Sequence, residues 1–230
     1  PFHWSVAVHR SKEEADLNEL NNSFQQLMNQ EKELLLEPEF FLALQSECEH
    51  INDVHVMPKV ARYDNELSRY RFDAVLFRSE PEQTLNDLEW IDWEHDRLSP
   101  AALQEKLQHT DSLAIYRIPN RRLQRHLSYW SQRETTNTEL TVADIEAAAE
   151  TGEELPVLEE LVRVGDESGF YVETSWYGSG DEGRLSVVFL RNGNLYSGWN
   201  HPAVGQITAN PLDYANTPSA ARELSELVPA

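Results

Sequence analysis

Residues 54–78 have the sequence VHVMPKVARYDNELSRYRFDAVLFR, and this stretch decides the fold class. Its first part alternates Val54, Val56 and Val60 with polar residues, whereas its last part is apolar on both faces. Alternation with a period of two predicts strands, and a strand that is apolar on both faces is typical of a sheet interior. Pro58 cannot donate a ladder hydrogen bond, so the first strand belongs at an edge. The stretch predicts an antiparallel hairpin in which an edge strand folds back onto an interior strand.

The polar connection between these strands, residues 61–69, is the first candidate site. It carries Tyr63, Asn65 and Glu66, and loops held by rigid strands often carry function. In the structural alternative, Asn65 and Asp64 set the turn geometry, and Glu66 pairs with Arg69 or Arg71. The residues by themselves leave both roles open.

Periodicity and capping residues predict the remaining elements. Ser11 and Glu14 form a capping-box pattern that opens a first helix reaching about residue 35. Pro38 is a favoured first residue for a second helix. Further segments are predicted as helices at 99–109, 121–130 and 158–165, and as strands at 113–118, 170–177 and 185–190. Thr141 with Asp144 could cap a short helix at 142–150, but residues 134–156 as a whole are interpreted as a solvated connection.

Composition restricts the class of function. The chain has 230 residues, with 40 acidic and 19 basic side chains and a formal net charge of −21. This charge disfavours nucleic acid as a partner, because such binding depends on neutralising phosphates. Basic residues are concentrated in two islands, at 54–78 and 112–133, and the second holds five arginines and no acidic residue. Such islands can attract an anionic partner.

Three motifs occur in a specific order along the chain: EKELLLEPEFFLAL at 31–44, Asn-Glu-Leu at 65–67 and Arg-Phe-Asp at 71–73. Together they resemble the C-terminal half of the S-adenosylmethionine-dependent methyltransferase domains embedded in nonribosomal peptide synthetases. Phe72 replaces the more usual tyrosine of that family, and the Pro-Lys-Val at 58–60 departs from its Lys-Arg-Gly.

The resemblance implies an α/β fold in three segments. Residues 1–80 would supply lid helices and the closing antiparallel hairpin of a Rossmann-like methyltransferase sheet. Residues 81–191 would form a small α+β subdomain. Residues 192–230 would be a tail that leads toward an adenylation domain.

The implied reaction is N-methylation of an aminoacyl group tethered to a carrier. Glu66, with Asn65 and Tyr63 beside it, would accept the proton or orient the amine. The implied partners are a peptidyl carrier protein with a phosphopantetheine-bound amino acid and the host adenylation domain. Carrier docking would use the arginines of the basic helix, although pairing with the acidic side chains of this chain is the alternative. These arginines are Arg121, Arg122 and Arg125.

The loop that would hold S-adenosylmethionine is not visible in the sequence. Residues 178–183, GSGDEG, match GxGxxG. That motif needs a strand before it and a helix after it, whereas here a second strand follows and two acidic residues would repel an anion. We interpret the match as a hairpin turn. The cofactor-binding half is therefore expected outside these residues, in a longer parent chain from which this one has been cut, and the fragment alone is expected to bind the cofactor weakly or not at all.

Metal and membrane sites are not expected. The acidic residues within 92–96 lack paired histidines and predict a solvated face. No apolar run reaches the length of a membrane span, and a single cysteine, Cys48, favours a reducing cytoplasmic setting. Two further functions stay open: a non-catalytic docking or structural remnant between synthetase domains, and an independent acidic interaction protein.

Overall fold

The computed structural model describes residues 1–61, 63–80, 83–85, 88–96, 98–134, 140–149, 158–176, 183–192, 197–199 and 210–218. The helices are α1 (Phe2–Arg10), α2 (Leu17–Gln30), α3 (Pro38–Glu47), α4 (Glu66–Tyr70), α5 (Trp93–Asp96), α6 (Pro100–Leu107), α7 (Arg121–Ser131), α8 (Val142–Ala149) and α9 (Leu158–Glu167), with short 3₁₀ turns at Gln132–Glu134 and Pro211–Tyr214. The strands are β1 (Asp53–Pro58), β2 (Phe72–Phe77), β3 (Gln83–Leu85), β4 (Trp90–Asp92), β5 (Ser112–Ile118), β6 (Tyr171–Ser175), β7 (Leu185–Leu190) and β8 (Ser197–Trp199).

The chain forms two compact units. We call Pro1–Leu36, Leu123–Glu154 and Ala215–Ala230 the helical unit, and Glu37–Arg122 with Leu155–Tyr214 the sheet unit. The boundaries predicted after residues 80 and 191 do not coincide with boundaries of these units. That division stays a prediction of how the segments map onto a parent enzyme.

The helical unit is built around Trp4. This side chain is fully buried in a core that also holds Leu20, Tyr129 and Ile145. The Trp4 indole N–H donates to the backbone oxygen of Tyr129 at 2.7 Å, and the Phe24 ring meets the indole edge to face. Burial of this large ring with its polar group satisfied fixes the start of the chain against α7.

The start of α2 corrects a prediction. Asp16 caps this helix, and its carboxylate accepts N–H groups of Asn18 and Glu19 at 2.9 Å each. Ser11 instead ends α1, where its hydroxyl donates to the oxygen of Ala7 at 2.9 Å. The capping box predicted from Ser11 and Glu14 is therefore wrong, because a charged carboxylate is the stronger cap and lies closer to the apolar stripe.

Several other predicted ends are confirmed. α3 begins at Pro38, and α6 follows Ser99, whose hydroxyl accepts the N–H of Ala102 at 3.2 Å. Local residues decide these positions, which is why short patterns were sufficient. The interpretation of residues 134–156 as a solvated connection is wrong at α8, where Thr141 and Asp144 bond reciprocally at the helix start and Val142 and Ile145 are buried.

In the sheet unit, β1 and β2 pair antiparallel, with Asp53 opposite Phe77 and Pro58 opposite Phe72. This confirms the predicted hairpin. Its connection is not wholly loop, because it contains α4. Pro58 is the last residue of β1, a position where its missing N–H does not interrupt the ladder.

The predicted burial of the two strands is wrong. Val54, His55 and Val56 of β1 are 0–3 % exposed, whereas Leu76 of β2 is 37 % exposed. β1 is the covered strand because its other side faces the end of β6, where the N–H of Trp176 donates to the oxygen of Val56 at 2.9 Å. The apolar residues on both faces of β2 could not show that β1, rather than β2, has a second neighbouring strand.

A separate four-stranded sheet has the order β4-β5-β7-β6. β4 and β5 are parallel and are joined through α5 and α6, whereas β7 runs antiparallel to both β5 and β6. All six residues of β7 are buried, as expected for a central strand. β6 and β7 pair across residues 176–184, which agrees with the hairpin predicted there, although 177–182 lie outside the described residues.

α9 packs closely against this sheet at Gly165. A Cβ atom added there would lie 2.3 Å from Cγ2 of Val172 and 2.8 Å from the ring of Phe189. Only glycine allows this approach of helix and strands. None of the described helices is both long and apolar enough to cross a bilayer.

A buried charged cluster joins β1 to β6. His55 is 3 % exposed, and its two ring nitrogens lie 3.1 Å from a carboxylate oxygen of Asp53 and 2.8 Å from one of Glu173. Burial would lower the pKa of His55, but the hydrogen bonds and charges of the two carboxylates outweigh it and raise the pKa to about 9. The imidazolium therefore balances negative charge where the strands meet.

We expect the sheet unit to lose stability above neutral pH. A pKa raised in the folded state means that the stabilisation is fully present below about pH 6.5 and is lost as pH rises to about 9. Urea unfolding of wild type should show a free energy that falls by on the order of 3 kcal/mol across this window. His55→Gln should flatten the dependence, whereas His50→Gln, at an exposed histidine, should retain it. A flat wild-type curve would contradict the charged cluster.

Candidate functional site

A cavity of about 480 Å³ opens in the sheet unit beyond the carboxyl end of β5. Its volume lies in the range of small-molecule sites. In open α/β sheets, ligands bind at the carboxyl ends of the strands. The residues that line the cavity are Pro58, Ala61, Tyr63, Asp64, Ser68, Ile118, Asn120, Arg121, Arg122, Leu158, Glu159 and Leu185.

A β-bulge shapes this end of β5. The pairing with β7 shifts between Ile115 and Ile118, and Arg117 adopts a left-handed conformation with φ of 59°. A bulge bends a strand and redirects its side chains. Arg117 reaches Asp92 at 2.8 Å and Glu94 at 2.5 Å. The backbone then turns into Asn120 and α7 at the cavity.

Arg122 holds the cavity wall together. Its guanidinium donates to the backbone oxygens of Lys59 at 2.6 Å, of Ser68 at 3.0 Å and of Ala61. It also forms an ion pair with Glu159, and only 11 % of its side chain is exposed. Burial lowers the pKa of the guanidinium from its ordinary value. One side chain thus joins β1, the connection around α4, α7 and α9.

The structure places the three predicted catalytic residues differently. Tyr63 lines the cavity, with 58 % of the residue exposed. Asn65 is the N-cap of α4, where its side chain accepts the N–H of Ser68 at 3.2 Å. Glu66 is exposed, and within the described residues no hydrogen bond or ion pair involves its side chain. Their catalytic roles stay predictions.

The alternative prediction, that Glu66 pairs with Arg69, is wrong. Arg69 Nε instead donates to Asp64 Oδ1 at 2.7 Å. This hydrogen bond is the largest of the effects that raise the pKa of Arg69. The helical turn of α4 brings Asp64 rather than Glu66 to the guanidinium.

The three arginines predicted to dock a carrier also differ in exposure and in their bonding partners. Arg121 is exposed at the cavity and has no ion pair with any described residue. Arg122 is bonded internally, as described above. Arg125 belongs to the helical unit, where Nε donates to the Tyr129 hydroxyl at 2.5 Å and the guanidinium lies 3.8 Å from Glu146. The alternative, pairing with the chain's own groups, describes the observed contacts of Arg122 and Arg125.

Asn120 and Glu159 line the cavity and were not predicted. Asn120 stands between a strand and a helix, a position that could have drawn attention to it. Glu159 gave no signal, because it lies 37 residues after Arg122 in sequence and looks like one of many acidic helix residues. Tertiary packing alone brings its carboxylate to Arg122 and to the N–H of Ala61 at 3.2 Å.

The acidic residues at 92–96 are partly paired rather than simply solvated. Asp92 and Glu94 bond to Arg117, and Glu94 also pairs with Arg184. Burial opposes ionisation of Asp92, but a backbone N–H of His95 and the Arg117 charge lower its pKa. Within the described part of the chain, no group of three or more His, Cys, Asp or Glu side chains is arranged to hold a metal ion.

Comparison with known proteins identifies the relatives of this chain. It is 31 % identical over 204 residues to cyclosporin synthetase simA of Tolypocladium inflatum, and 30 % identical over 189 residues to the nonribosomal peptide synthetase kk1B of Curvularia clavata. Both relatives are fungal nonribosomal peptide synthetases. The beauvericin nonribosomal cyclodepsipeptide synthetase of Beauveria bassiana is 27 % identical over 94 % of the chain.

These matches cover most of this chain but little of each relative. They include 80 % of the chain and 1 % of cyclosporin synthetase, 74 % of the chain and 1 % of kk1B, and 8 % of the beauvericin synthetase. No protein-family model matches. The similarity therefore points to a small part of a very long enzyme.

Loss of Arg122 should destabilise the cavity wall. Arg122→Met leaves the carboxylate of Glu159 without its cation and three backbone oxygens without their donor, so we expect a loss of about 3 kcal/mol in the free energy of unfolding. Arg121→Met, one residue away and exposed, should change it by less than about 0.5 kcal/mol. Urea denaturation measures both. Equal effects of the two changes would refute the structural role of Arg122.

Proposed function

We propose that the chain is the acceptor-binding part of a methyltransferase domain in a nonribosomal peptide synthetase, which transfers a methyl group from S-adenosylmethionine to the amine of a carrier-tethered aminoacyl group. The observation that carries the proposal is the cavity at the carboxyl end of β5, lined by Tyr63 of the segment that resembles this family. The synthetase homologues support the setting.

The sheet topology supports a Rossmann-like relationship. β4 and β5 are parallel strands joined through helices, and β5 and β6 also run in the same direction on either side of β7. Parallel strands with helical connections are typical of doubly wound sheets, and such sheets often include an antiparallel strand. We therefore propose that the β1–β2 hairpin belongs to a Rossmann-like methyltransferase sheet and that the four-stranded sheet is the core of the small α+β subdomain.

S-adenosylmethionine does not fit the described residues. Its binding in doubly wound folds uses a glycine-rich loop between a strand and a helix, and no described segment has that arrangement. Residues 178–183 fall between the antiparallel strands β6 and β7. The cofactor would be held elsewhere in the parent enzyme, and this chain would contribute the site for the methyl acceptor.

Methylation of an amine requires mainly positioning. The nitrogen must be unprotonated and aligned, and one nearby acceptor can hold its hydrogen. We retain Tyr63, Asn65 and Glu66 as candidates on the acceptor side. Tyr63 is the member of this set that lines the cavity.

Carrier docking is proposed on the exposed cations of α7. Arg121 is exposed at the cavity and pairs with no acidic group among the described residues, so a negatively charged carrier could present its tethered substrate there. Arg125 is about half exposed, whereas Arg122 would first have to break its internal bonds. The host adenylation domain and a cytoplasmic setting belong to the same proposal.

A non-catalytic remnant between synthetase domains is the second candidate. It is favoured by the structural use of Asn65 as a helix cap and by the exposure of Glu66. The two functions differ in whether the parent enzyme incorporates a methyl group.

Filling the cavity should abolish methyl transfer. In the parent synthetase, Ala61→Trp places an indole among the lining residues and should lower transfer of labelled methyl groups to the carrier-bound substrate at least about tenfold. Val60→Trp, at an exposed neighbour that does not line the cavity, is the matched control. Both variants should retain ATP–pyrophosphate exchange. If wild type transfers no methyl group, the non-catalytic function is supported. Equal transfer by both variants would show that the cavity is not needed for methyl transfer.

Charge reversal at Arg121 should weaken carrier use. Arg121→Glu should raise the KM for the carrier several-fold with little change in kcat, and added salt should reduce the difference. Arg78→Glu makes the same change at another exposed arginine and should have little effect. Steady-state kinetics at two salt concentrations measure this. A kcat effect alone, or equal effects of the two variants, would exclude docking at Arg121.

A further inference from the structure

Large apolar side chains lie exposed on the connection between β1 and β2. Val60, Tyr63 and Leu67 are 47, 58 and 48 % exposed, and they account for three of the six large apolar residues that the described part of the chain leaves exposed. Exposed apolar side chains that cluster, rather than occur singly, mark interaction sites. We call these three residues the apolar patch.

Arg122 brings the members of the apolar patch together. Its guanidinium donates to two backbone oxygens within residues 59–61 and to that of Ser68 at 3.0 Å. One guanidinium reaches all three oxygens only when residues 59–61 lie beside Ser68. Val60 and Leu67 are each next in sequence to a bonded residue, so they belong to the same small region of surface.

The patch is also held rigidly. Asn65 and Ser68 form a capping box at the start of α4, in which the Asn65 N–H donates to the Ser68 hydroxyl at 3.0 Å and the Ser68 N–H donates to Asn65 Oδ1 at 3.2 Å. Leu67 lies between these two residues. A surface that is ordered before binding loses little entropy when a partner covers it.

The charged groups around the patch largely cancel one another. Among the described residues of the connection and β2, two ion pairs form, and one exposed group of each sign remains. These groups are Lys59 with Asp73, Arg69 with Asp64, and the exposed Glu66 and Arg71. Such a surface offers little attraction to an acidic partner, so burial of apolar area would drive its contacts.

The apolar patch borders the cavity of the sheet unit. Tyr63 belongs to both, whereas Arg121 lines the cavity as an exposed cation. Methyl transfer in this cavity requires two reactants, the carrier-tethered acceptor and the methyl donor. The cationic side suits delivery by an acidic carrier. The apolar side is therefore available to the part of the enzyme that holds the methyl donor.

That part must cover the cavity. The methyl carbon has to come within about 3–3.5 Å of the acceptor nitrogen, and a closed site keeps water away from the reacting atoms. S-adenosylmethionine does not fit the described residues, and the chain corresponds to only 1 % of cyclosporin synthetase and 8 % of the beauvericin synthetase. The cofactor-binding part of a parent enzyme has ample chain from which to come.

We propose that the apolar patch packs against the cofactor-binding part of the parent synthetase and that this contact closes the cavity over the methyl acceptor. The inference rests on the proposed function, which places S-adenosylmethionine elsewhere in the parent. The contact depends on apolar character, so Val60→Trp preserves it, whereas a charge introduced at Leu67 does not.

Hydroxyl-radical footprinting tests this cover on unmodified proteins. Tyr63 and Leu67 should be oxidised readily in the 230-residue chain and at least about fivefold more slowly in the parent synthetase, because the centre of an interface is closed to solvent. Mass spectrometry of the peptides measures both rates, with an added free peptide as the dose standard. Equal rates in the two proteins would overturn the proposal.

The same measurement distinguishes the carrier as the occupant. Purified carrier added to the 230-residue chain should leave the oxidation of Tyr63 and Leu67 unchanged. Protection by the carrier that disappears at about 1 M salt would assign the patch to carrier docking instead, because salt screens attraction between exposed charges.

A cross-link identifies the partner. Leu67→Cys, labelled with a benzophenone maleimide in the purified parent synthetase, should capture a segment that contains a glycine-rich loop between a strand and a helix, as expected for a cofactor-binding part. Mass spectrometry locates the captured peptide. Capture within the carrier or the adenylation domain would overturn the assignment.

A charge at the patch should uncouple cofactor binding from methyl transfer. In the parent synthetase, Leu67→Glu should lower methyl transfer at least about tenfold at saturating S-adenosylmethionine without changing the Kd of the cofactor, whereas Leu67→Met should retain both. Both variants of the 230-residue chain should keep the wild-type urea midpoint, because residue 67 is half exposed. Wild-type methyl transfer by Leu67→Glu would refute the contact.

The outcomes separate this inference from the proposed function. Protection of Tyr63 and Leu67 in a parent that transfers no methyl group would support the interface and reject the methyltransferase. Methyl transfer by a parent in which both residues stay open to oxidation would support the methyltransferase and reject the interface.

Discussion

The cavity of the sheet unit depends on the bonds of one guanidinium. Arg122 donates to three backbone oxygens of the β1–α4 connection and pairs with Glu159 of α9. Without Arg122, these three oxygens would lose their side-chain donor. An arginine suits this position because its planar fork supplies several donors in fixed directions. The backbone N–H of Arg122 also donates to Asn120 Oδ1, which fixes the residue that precedes α7.

A second charged cluster has the same character. His55 is buried between Asp53 and Glu173 where β1 meets β6, and its raised pKa keeps positive charge between two carboxylates. Both clusters bury a cation with anionic or carbonyl partners from distant parts of the chain. Breaking such an arrangement is costly because it leaves a charge unpaired. In a chain of net charge −21, these buried cations also offset part of the local repulsion.

Prediction succeeded where a few neighbouring residues decide the structure. Pro38 and Ser99 each stand at the start of a helix as expected, and the antiparallel pairing of residues 54–58 with 72–76 follows from alternation. It failed where a distant partner decides. Apolar residues on both faces suggested that β2 was interior, but β1 is the strand that lies beside β6. Glu66 was chosen from a motif, whereas Glu159 reaches the cavity only through Arg122.

The sequence by itself determined the α/β class, most element positions, the hairpin and the similarity to nonribosomal peptide synthetases, because periodicity, capping and motif order are local properties of the chain. Tertiary structure alone decided which strand is covered, which arginine lies exposed at the cavity and which glutamate lines it. Those properties depend on contacts between residues far apart in sequence, such as Arg122 with Lys59 and Glu159. A charged side chain carries no local sign of whether the fold will pair it or leave it available.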